Sequence, residues 1–511
     1  MKKYLVKEYI ELLQKENLIK EIIDCNDILE KEVNYVSYNS KEVIEDTLFV
    51  CKGASFQEKY LKEAIQAGVF IYVSEKPLEV LIPGIIVTDV KLALSRIACL
   101  FFNHPGKDLN IIGITGTKGK TTTAYFLKAI LDEYASNTHK KDTAIISTID
   151  TYDGKEHFES HITTPESYDL QRHFYNAKMS GIKNLVMEVS SQGLKYNRTA
   201  DVFFTIGAFL NISEDHISPI EHPNFEDYFS SKLKLFERTK NAIVNLDDPL
   251  GEKIYQKALE NAQKVYTISL KNQDADFYAY DIKKVGEDTI FKVQFQDENV
   301  EFLLTVPGIF NVENALVAIA SAYILNVPVG YIVEGLKKAK SKGRMELYSS
   351  LDKKIMVLVD YAHNRLSFER VFHSMKEEYP DRYKVVVFGS VGGKAQMRRK
   401  DLGEIAGQNA DKIYITADDP ATERVEDISN EIEKYVKKYN QNYEKIEDRE
   451  QAIKSAIAHA AMQKENVMVL LLGKGNDQTQ KVGKEYVPYE TDSFLAKKYL
   501  KAYDDKKLKD A

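Results

Sequence analysis

The sequence predicts an α/β protein of three domains. These are a small N-terminal α/β domain over residues 1–108, a central P-loop domain built on a parallel sheet over 109–342, and a Rossmann-like C-terminal domain over 343–511. Three observations carry that prediction. A chain of 511 residues, 44% hydrophobic and 29% charged, has room for about three cores of ordinary size and the composition of a soluble globular protein. Apolar runs of strand length recur between helix-patterned stretches, the alternation that gives a parallel sheet covered by helices. One such run leads into a glycine turn and a helix start, the pattern of a phosphate-binding loop.

In order along the chain, residues 1–108 mix short strand and helix patterns and end at the turn-rich Asn103-His104-Pro105-Gly106. The central domain opens on the apolar run 109–114, followed by the loop and a helix pattern over 124–131, and further strand candidates follow at 184–189, 202–211 and 242–246. After Gly343-Arg344-Met345-Glu346, a second series of strand candidates at 355–359, 384–388, 413–416 and 467–472 predicts the third domain. The lysine-rich tail 504–511 reads as the one loose segment.

The loop is Gly113-Ile114-Thr115-Gly116-Thr117-Lys118-Gly119-Lys120-Thr121-Thr122. A buried strand, a glycine turn and a helix start bring backbone N–H groups, a helix dipole and a lysine around one point, which suits a triphosphate. Residues Gly116 to Thr122 are therefore expected to bind ATP, with Lys120 spreading phosphate charge and the Thr121 hydroxyl as a ligand of Mg2+. The spacing is a variant, since the strict motif wants glycine where Ile114 stands.

Three more residues of the central domain bear on that chemistry. Glu188 ends the apolar run beginning at Asn184, where a neighbouring strand delivers a carboxylate to magnesium, although a strand ending in an acid is common. His216 follows another strand end and reads either as a metal ligand or as a satisfied structural histidine. Lys232 falls at i+7 on a helix face otherwise made of Phe225, Tyr228, Phe229, Leu233 and Phe236. It is either a snorkelling lysine or a desolvated amine, neutral enough to take up carbon dioxide and become a carbamate.

Charge and composition exclude several partners. A net charge of −7 with no basic block argues against nucleic acid. The N-terminus meets charge too soon for a signal sequence and no apolar run reaches membrane length, so a cytoplasmic protein without membrane insertion is expected. The widely spaced Cys25, Cys51 and Cys99 read as reduced structural thiols.

The ordered set Thr115 to Thr122, Thr163-Thr164-Pro165-Glu166, Glu188-Val189-Ser190-Ser191-Gln192, Asp215-His216, Lys232, Pro307 to Asn311 with Asn314, Gly343 to Glu346, Asp360-Tyr361-Ala362-His363 and Gly473-Lys474-Gly475 resembles the Mur ligases. The likeness is to the members of that family that add the third residue to UDP-N-acetylmuramoyl-L-alanyl-D-glutamate. It implies that Lys232 is the carbamylated lysine, that Glu188 and His216 contact magnesium, that Asn314 and Arg344 hold ATP, and that Asp360 and His363 act from the third domain. It also implies Ser40 in the uridine segment, and Thr163, Thr164, Ser190 and Arg198 at the sugar dipeptide. Departures stand at Asn39-Ser40-Lys41, Ile162, Gln192, Tyr196 and Lys118. The implied reaction is phosphorylation of the D-glutamate side chain to an acyl phosphate, then attack by a neutral amine. Closure of the domains would exclude water from that intermediate. The enzyme is expected to act as a monomer.

Family members that use meso-diaminopimelate carry Asp-Asn-Pro-Arg, where arginine suits the distal carboxylate. This chain has Asp418-Asp419-Pro420-Ala421, so the resemblance points to L-lysine, with Asp477 as a further acid and Arg399 meeting the α-carboxylate. Ornithine differs by one methylene and stays an alternative, as does meso-diaminopimelate. Two rivals are a folylpolyglutamate synthetase, against which the first domain and the Asp418 segment argue, and a non-catalytic nucleotide-binding regulator.

Overall fold

The computed structural model describes residues 2–53, 56–160, 162–215, 217, 221–296, 298–341, 343–393 and 396–510. The chain is a multidomain α/β protein that separates into two compact units, Met1–Phe277 with Ile319–Pro328, and Tyr278–Ala318 with Val329–Ala511. Among the described residues no helix is long and apolar enough to cross a membrane.

Besides the short antiparallel pair Tyr4–Leu5 with Glu32–Val33, the first unit carries a smaller and a larger sheet. The smaller has the order Ile19–Ile23, Gly84–Val87, Val69–Ser74, Thr47–Val50, Tyr35–Ser37, parallel except for its first pair. Helices Val6–Lys15 and Val90–Phe101 pack on it through Tyr9, Leu13, Leu94 and Ile97. In the larger sheet, Asn110–Thr115 lies between Asn184–Glu188 and Phe204–Phe209, all parallel, with Thr239–Asn245 and Lys264–Ser269 continuing on one side. On the other side come Ala144–Ile146 and a short antiparallel hairpin, Asp150–Tyr152 with His157–Glu159. Burial on both faces explains the continuous apolar runs read in the sequence. The register sets Glu188 opposite Ile114 and Phe209 opposite Thr115, so three strand ends open on one edge. Ligands collect at such an edge.

The second unit holds a six-stranded sheet of order Glu346–Ser349, Ile355–Asp360, Val467–Leu472, Tyr383–Phe388, Lys412–Ile415, Tyr443–Lys445, parallel except for its first pair. It also holds, from Tyr278 onward, the strand Phe277–Val285 and the strands Asp288–Phe295 and Glu298–Leu304 antiparallel to it in turn, whose alternating pattern was not among the expected strands. The tail expected to be loose is the end of a helix, Asp492–Asp510. Leu495, Ala496 and Leu500 of that helix enter the core, and buried Asp492 pairs with buried Arg449 at 2.6 Å.

Candidate active site

The phosphate loop spans the gap between Asn110–Thr115 and the helix Lys120–Asn137. Gly116 (φ 151°) runs so close to the next strand end that a Cβ would lie 3.0 Å from Leu210, and Gly119 (φ 88°) turns the chain into the helix in a left-handed conformation. Asn211 pins the turn: its carbonyl accepts from Thr117 N–H at 2.9 Å, its side-chain oxygen from Lys118 N–H at 2.9 Å, and its amide donates to Lys118 O at 3.0 Å. The helix has no acidic residue in its first turn, where Thr121 and Thr122 are buried, so no side chain of that turn would repel an anion at its N-terminus. The Lys120 ammonium donates to Gly116 O at 2.9 Å and Thr117 O at 3.2 Å, while that of Lys118 pairs with Asp215 at 3.1 Å.

Lys232 resolves the two readings of its helix position in favour of an inward amine. Helix Phe225–Leu233 carries it at 2% exposure, and Nζ donates to the same Gly116 O at 2.9 Å and lies 4.8 Å from the Tyr228 ring. Burial pushes its pKa well below the ordinary lysine value, and Lys120 and Lys118 add to the push while Asp215 opposes it. The Tyr228 hydroxyl lies 3.1 Å from Thr117 Oγ1, which ties this helix to the loop.

On the other side of the loop strand, Glu188 is 1% exposed and accepts from the Thr121 hydroxyl at 2.8 Å, Thr148 N–H at 2.8 Å and the Thr148 hydroxyl at 3.1 Å. Thr148 in turn lies 3.1 Å from the Thr163 hydroxyl. Thr164 donates to Glu188 O at 3.1 Å and accepts from Ser190 N–H at 2.9 Å. Ser190 caps the short helix Ser191–Lys195, accepting from Gly193 N–H at 3.0 Å. Arg198 donates to Thr164 O at 3.1 Å and pairs with Glu166 at 2.8 Å, and Lys52 reaches the same glutamate at 2.6 Å. Ser40 sits half-buried in the turn after Tyr35–Ser37, and His216 lies outside the described residues.

Sequence reasoning missed Thr148, Asn211 and His222, and read Tyr228 only as part of an apolar face. His222 is fully buried, 2.9 Å from Ser191 Oγ through Nε2 and 2.6 Å from Asp227 through Nδ1. It thereby links the helix bearing Ser191 to the helix bearing Lys232, and no sequence spacing announces that link.

In the second unit, Asp360 ends a central strand and accepts from Met345 N–H and Ala362 N–H, both at 2.8 Å. His363 Nδ1 lies 2.7 Å from Tyr361 O; a carbonyl only accepts, so Nδ1 carries a proton. The Arg344 guanidinium lies 4.4 Å from the Tyr361 ring centroid. Asn314, on helix Phe310–Ile324, donates to Asn311 at 2.9 Å.

At the neighbouring strand ends, Asp418, Asp419 and Asp477 surround Lys474. Asp418 and Lys474 are buried, and burial raises the Asp418 carboxyl above its usual range against the pull of Lys474 and Arg449. Ala421 takes a left-handed φ of 50° after Pro420, with its N–H on Lys481 O at 3.0 Å. Arg399 stands differently from the role the resemblance implied. It is 2% exposed, and its two terminal nitrogens bind Glu431 at 2.6 Å, Glu423 at 2.9 Å and Val391 O at 3.3 Å.

A glycine loop, a buried amine and a buried carboxylate at adjoining parallel strand ends define an α/β protein built to handle a nucleotide's phosphates. Residues 114–322 match the Mur ligase middle domain and residues 343–475 the Mur ligase, glutamate ligase domain. The chain belongs to the Mur ligase family. It is 39% identical over 503 residues to UDP-N-acetylmuramoyl-L-alanyl-D-glutamate--L-lysine ligase of Enterococcus faecalis, covering 96% of this chain and 97% of that one. It is 36% identical over 504 residues to the ligase of the same name from Streptococcus pneumoniae serotype 4, covering 97% and 99%. The fold is similar to that of a solved UDP-N-acetylmuramoyl-L-alanyl-D-glutamate--2,6-diaminopimelate ligase, with TM-score 0.69, 23% identity, and 99% and 100% of the two chains covered.

Proposed function

We propose that this chain is an ATP-dependent ligase that joins L-lysine to the D-glutamate of UDP-N-acetylmuramoyl-L-alanyl-D-glutamate in peptidoglycan precursor synthesis. The observation that carries the reading is the meeting of Lys120, Lys232 and, through Thr121, Glu188 at one glycine loop. The 39% identity along nearly all of an L-lysine ligase supports the choice of substrate. On this reading residues 1–108 take the uridine diphosphate, 109–342 ATP and the dipeptide, and 343–511 the amino acid. The protein works in the cytoplasm as a monomer.

Loop N–H groups and Lys120 hold the terminal phosphates of ATP, with Asn314 and Arg344 as further nucleotide contacts. A side-chain oxygen of D-glutamate, held by Thr163, Thr164, Ser190 and Arg198, bonds to the γ-phosphorus, and the bond to ADP breaks. The amine of lysine then bonds to the activated carbonyl carbon, phosphate leaves with its electron pair, and the amine gives up a proton. His363, whose Nδ1 is tied to Tyr361 O, is the proposed acceptor of that proton, and Asp360 frames the turn that holds it.

The residues present fit magnesium: a carboxylate buried at a strand end lies 2.8 Å from a hydroxyl at the helix start. Glu188 and Thr121 would hold the ion, which when bound supplies neutralisation of phosphate charge. The neutral Lys232 amine adds carbon dioxide, forming an N–C bond and releasing an N–H proton, and the resulting anion faces Lys118 and Lys120.

The amino-acid pocket is Asp418, Asp419 and Asp477, with Pro420 and Ala421 beside them. Arg399 is left out because its two terminal nitrogens bind Glu423, Glu431 and Val391 O. The test is phosphate release from ATP with the UDP-dipeptide and L-lysine, L-ornithine or meso-diaminopimelate. Release that depends on L-lysine is expected. Release only with meso-diaminopimelate overturns the pocket, and release with none of the three makes the chain a regulator.

A further inference from the structure

The acid pocket already contains a cation. Lys474 is 1% exposed, and its ammonium lies 2.8 Å from Asp419 Oδ1, 2.8 Å from Thr479 O and 3.3 Å from Asp477 Oδ2. An ammonium has three N–H donors, and these three acceptors take all of them. Asp418 also faces it, and Arg449, which acts on Asp418 as well, is paired with Asp492. Three carboxylates around one ammonium leave negative charge in surplus.

We infer that Lys474 is a positioning and specificity-determining residue of this pocket: a built-in ammonium that holds Asp419 and Asp477 in place, leaving charge for one further ammonium, the distal one of the incoming amino acid. The inference rests on the reading of the pocket proposed above. Lys474 is held in a buried site by all three of these acceptors, so moving it would leave an ammonium without partners. Thr479 supports this: it begins the hairpin Thr479–Val482 with Glu485–Pro488, whose Lys481 N–H also donates to Asp419 Oδ1 at 3.0 Å. Asp419 is thus held by both the lysine and the hairpin.

The arrangement makes lysine binding depend on pH. Burial raises the Asp477 carboxyl to about 7; Lys474 works against the rise, while Asp418 and Asp419 add to it. Tyr361, with Arg344 beside it, faces Asp477 from the end of the adjacent strand. As pH climbs through that range Asp477 ionises, the surplus grows by one charge, and a diamino acid binds more tightly.

The experiment compares wild type, K474M and K474R for KM of L-lysine and of ATP between pH 6 and 9. In wild type the lysine KM falls as pH rises, with an inflection near 7, separate from the substrate's own amines. An opposite charge at this range is worth about one pKa unit or more. K474M therefore moves the inflection upward by about one unit and raises the lysine KM at pH 7 by roughly tenfold, with no matching rise for ATP. K474R returns the inflection toward wild type. An unshifted inflection in K474M, or equal rises for lysine and ATP, overturns the inference. Should K474M fail to fold, D477N decides: it loses the inflection if the account holds and keeps it otherwise. Wild type that turns over without L-lysine dependence refutes the substrate reading instead.

Discussion

Replacing Lys232 by methionine should stabilise the protein while removing its activity. The amine is 2% exposed and its pKa is depressed, chiefly by burial and then by Lys120. The unfolded chain therefore binds a proton that the folded chain refuses at any pH between the depressed value and the ordinary lysine value. In that window stability rises with pH, and at neutral pH Lys232 opposes folding. Methionine keeps most of the stem and sheds the amine. The lost hydrogen bond to Gly116 O costs about 1 kcal/mol at most, because Lys120 still donates to that oxygen at 2.9 Å. Keeping the amine neutral costs about 1.4 kcal/mol for each pH unit below the ordinary lysine value, so a net gain of at least about 1–2 kcal/mol is expected at pH 7. Denaturant unfolding of wild type and K232M at pH 7 and 9.5 measures it, and the gap should narrow at the higher pH. Turnover of K232M should fall at least about a hundredfold, in keeping with the loss of a group that stabilises transferred charge. K232A, which leaves space, should recover part of it with added short-chain carboxylic acids. A K232M protein that is less stable by the same amount at both pH values, or that turns over normally, refutes the reasoning.

E188Q keeps the shape of a carboxylate that accepts from Thr121 and Thr148 but removes its charge. A kcat loss of about 10²–10³-fold with little change in melting temperature is expected, and activity within threefold of wild type excludes Glu188 from the phosphate chemistry. A421R adds a cation at the pocket without new backbone strain, since Ala421 already holds a φ of 50°. It should weaken kcat/KM for L-lysine by about ten- to hundredfold, and unchanged lysine kinetics remove the basis for the pocket. R399A leaves Glu423 and Glu431 without their buried partner and should cost about 3 kcal/mol of stability in a thermal melt. A higher lysine KM at unchanged melting temperature instead returns Arg399 to the substrate's carboxylate.

The phosphate loop was legible because its determinants are local: glycines, a lysine and a helix start within ten residues, with an apolar run in front. The parallel strands were legible for the same reason, since burial on both faces writes an unbroken apolar run. Gly113, quoted as part of the loop motif, instead belongs to the strand, where a Cβ would lie 2.5 Å from the Phe204 ring. What sequence could not supply is the partner across a strand boundary. Thr148 lies 40 positions from Glu188 and His222 lies 31 from Ser191, and only the crossover connections bring each pair together. The tail misled because its lysines dominate the composition, while Leu495, Ala496 and Leu500 anchor the helix from before the charged stretch begins.

Two buried lysines show how little residue type says about chemistry until the neighbours are known. Lys232 and Lys474 are both almost inaccessible to solvent, so burial disfavours the charged form of each. Around Lys232 the nearest charges include two more lysines and a single aspartate, so burial wins and the amine is pushed toward the neutral, nucleophilic form. Around Lys474 three aspartates outweigh burial, and its pKa is raised above the ordinary value. The first can therefore acquire a carboxyl group and the second cannot, because an amine that stays protonated has no lone pair to give to carbon dioxide. Exposure to carbon dioxide followed by chemical trapping should label Lys232 and spare Lys474; label on Lys474 would mean that the aspartates around it do not hold its proton.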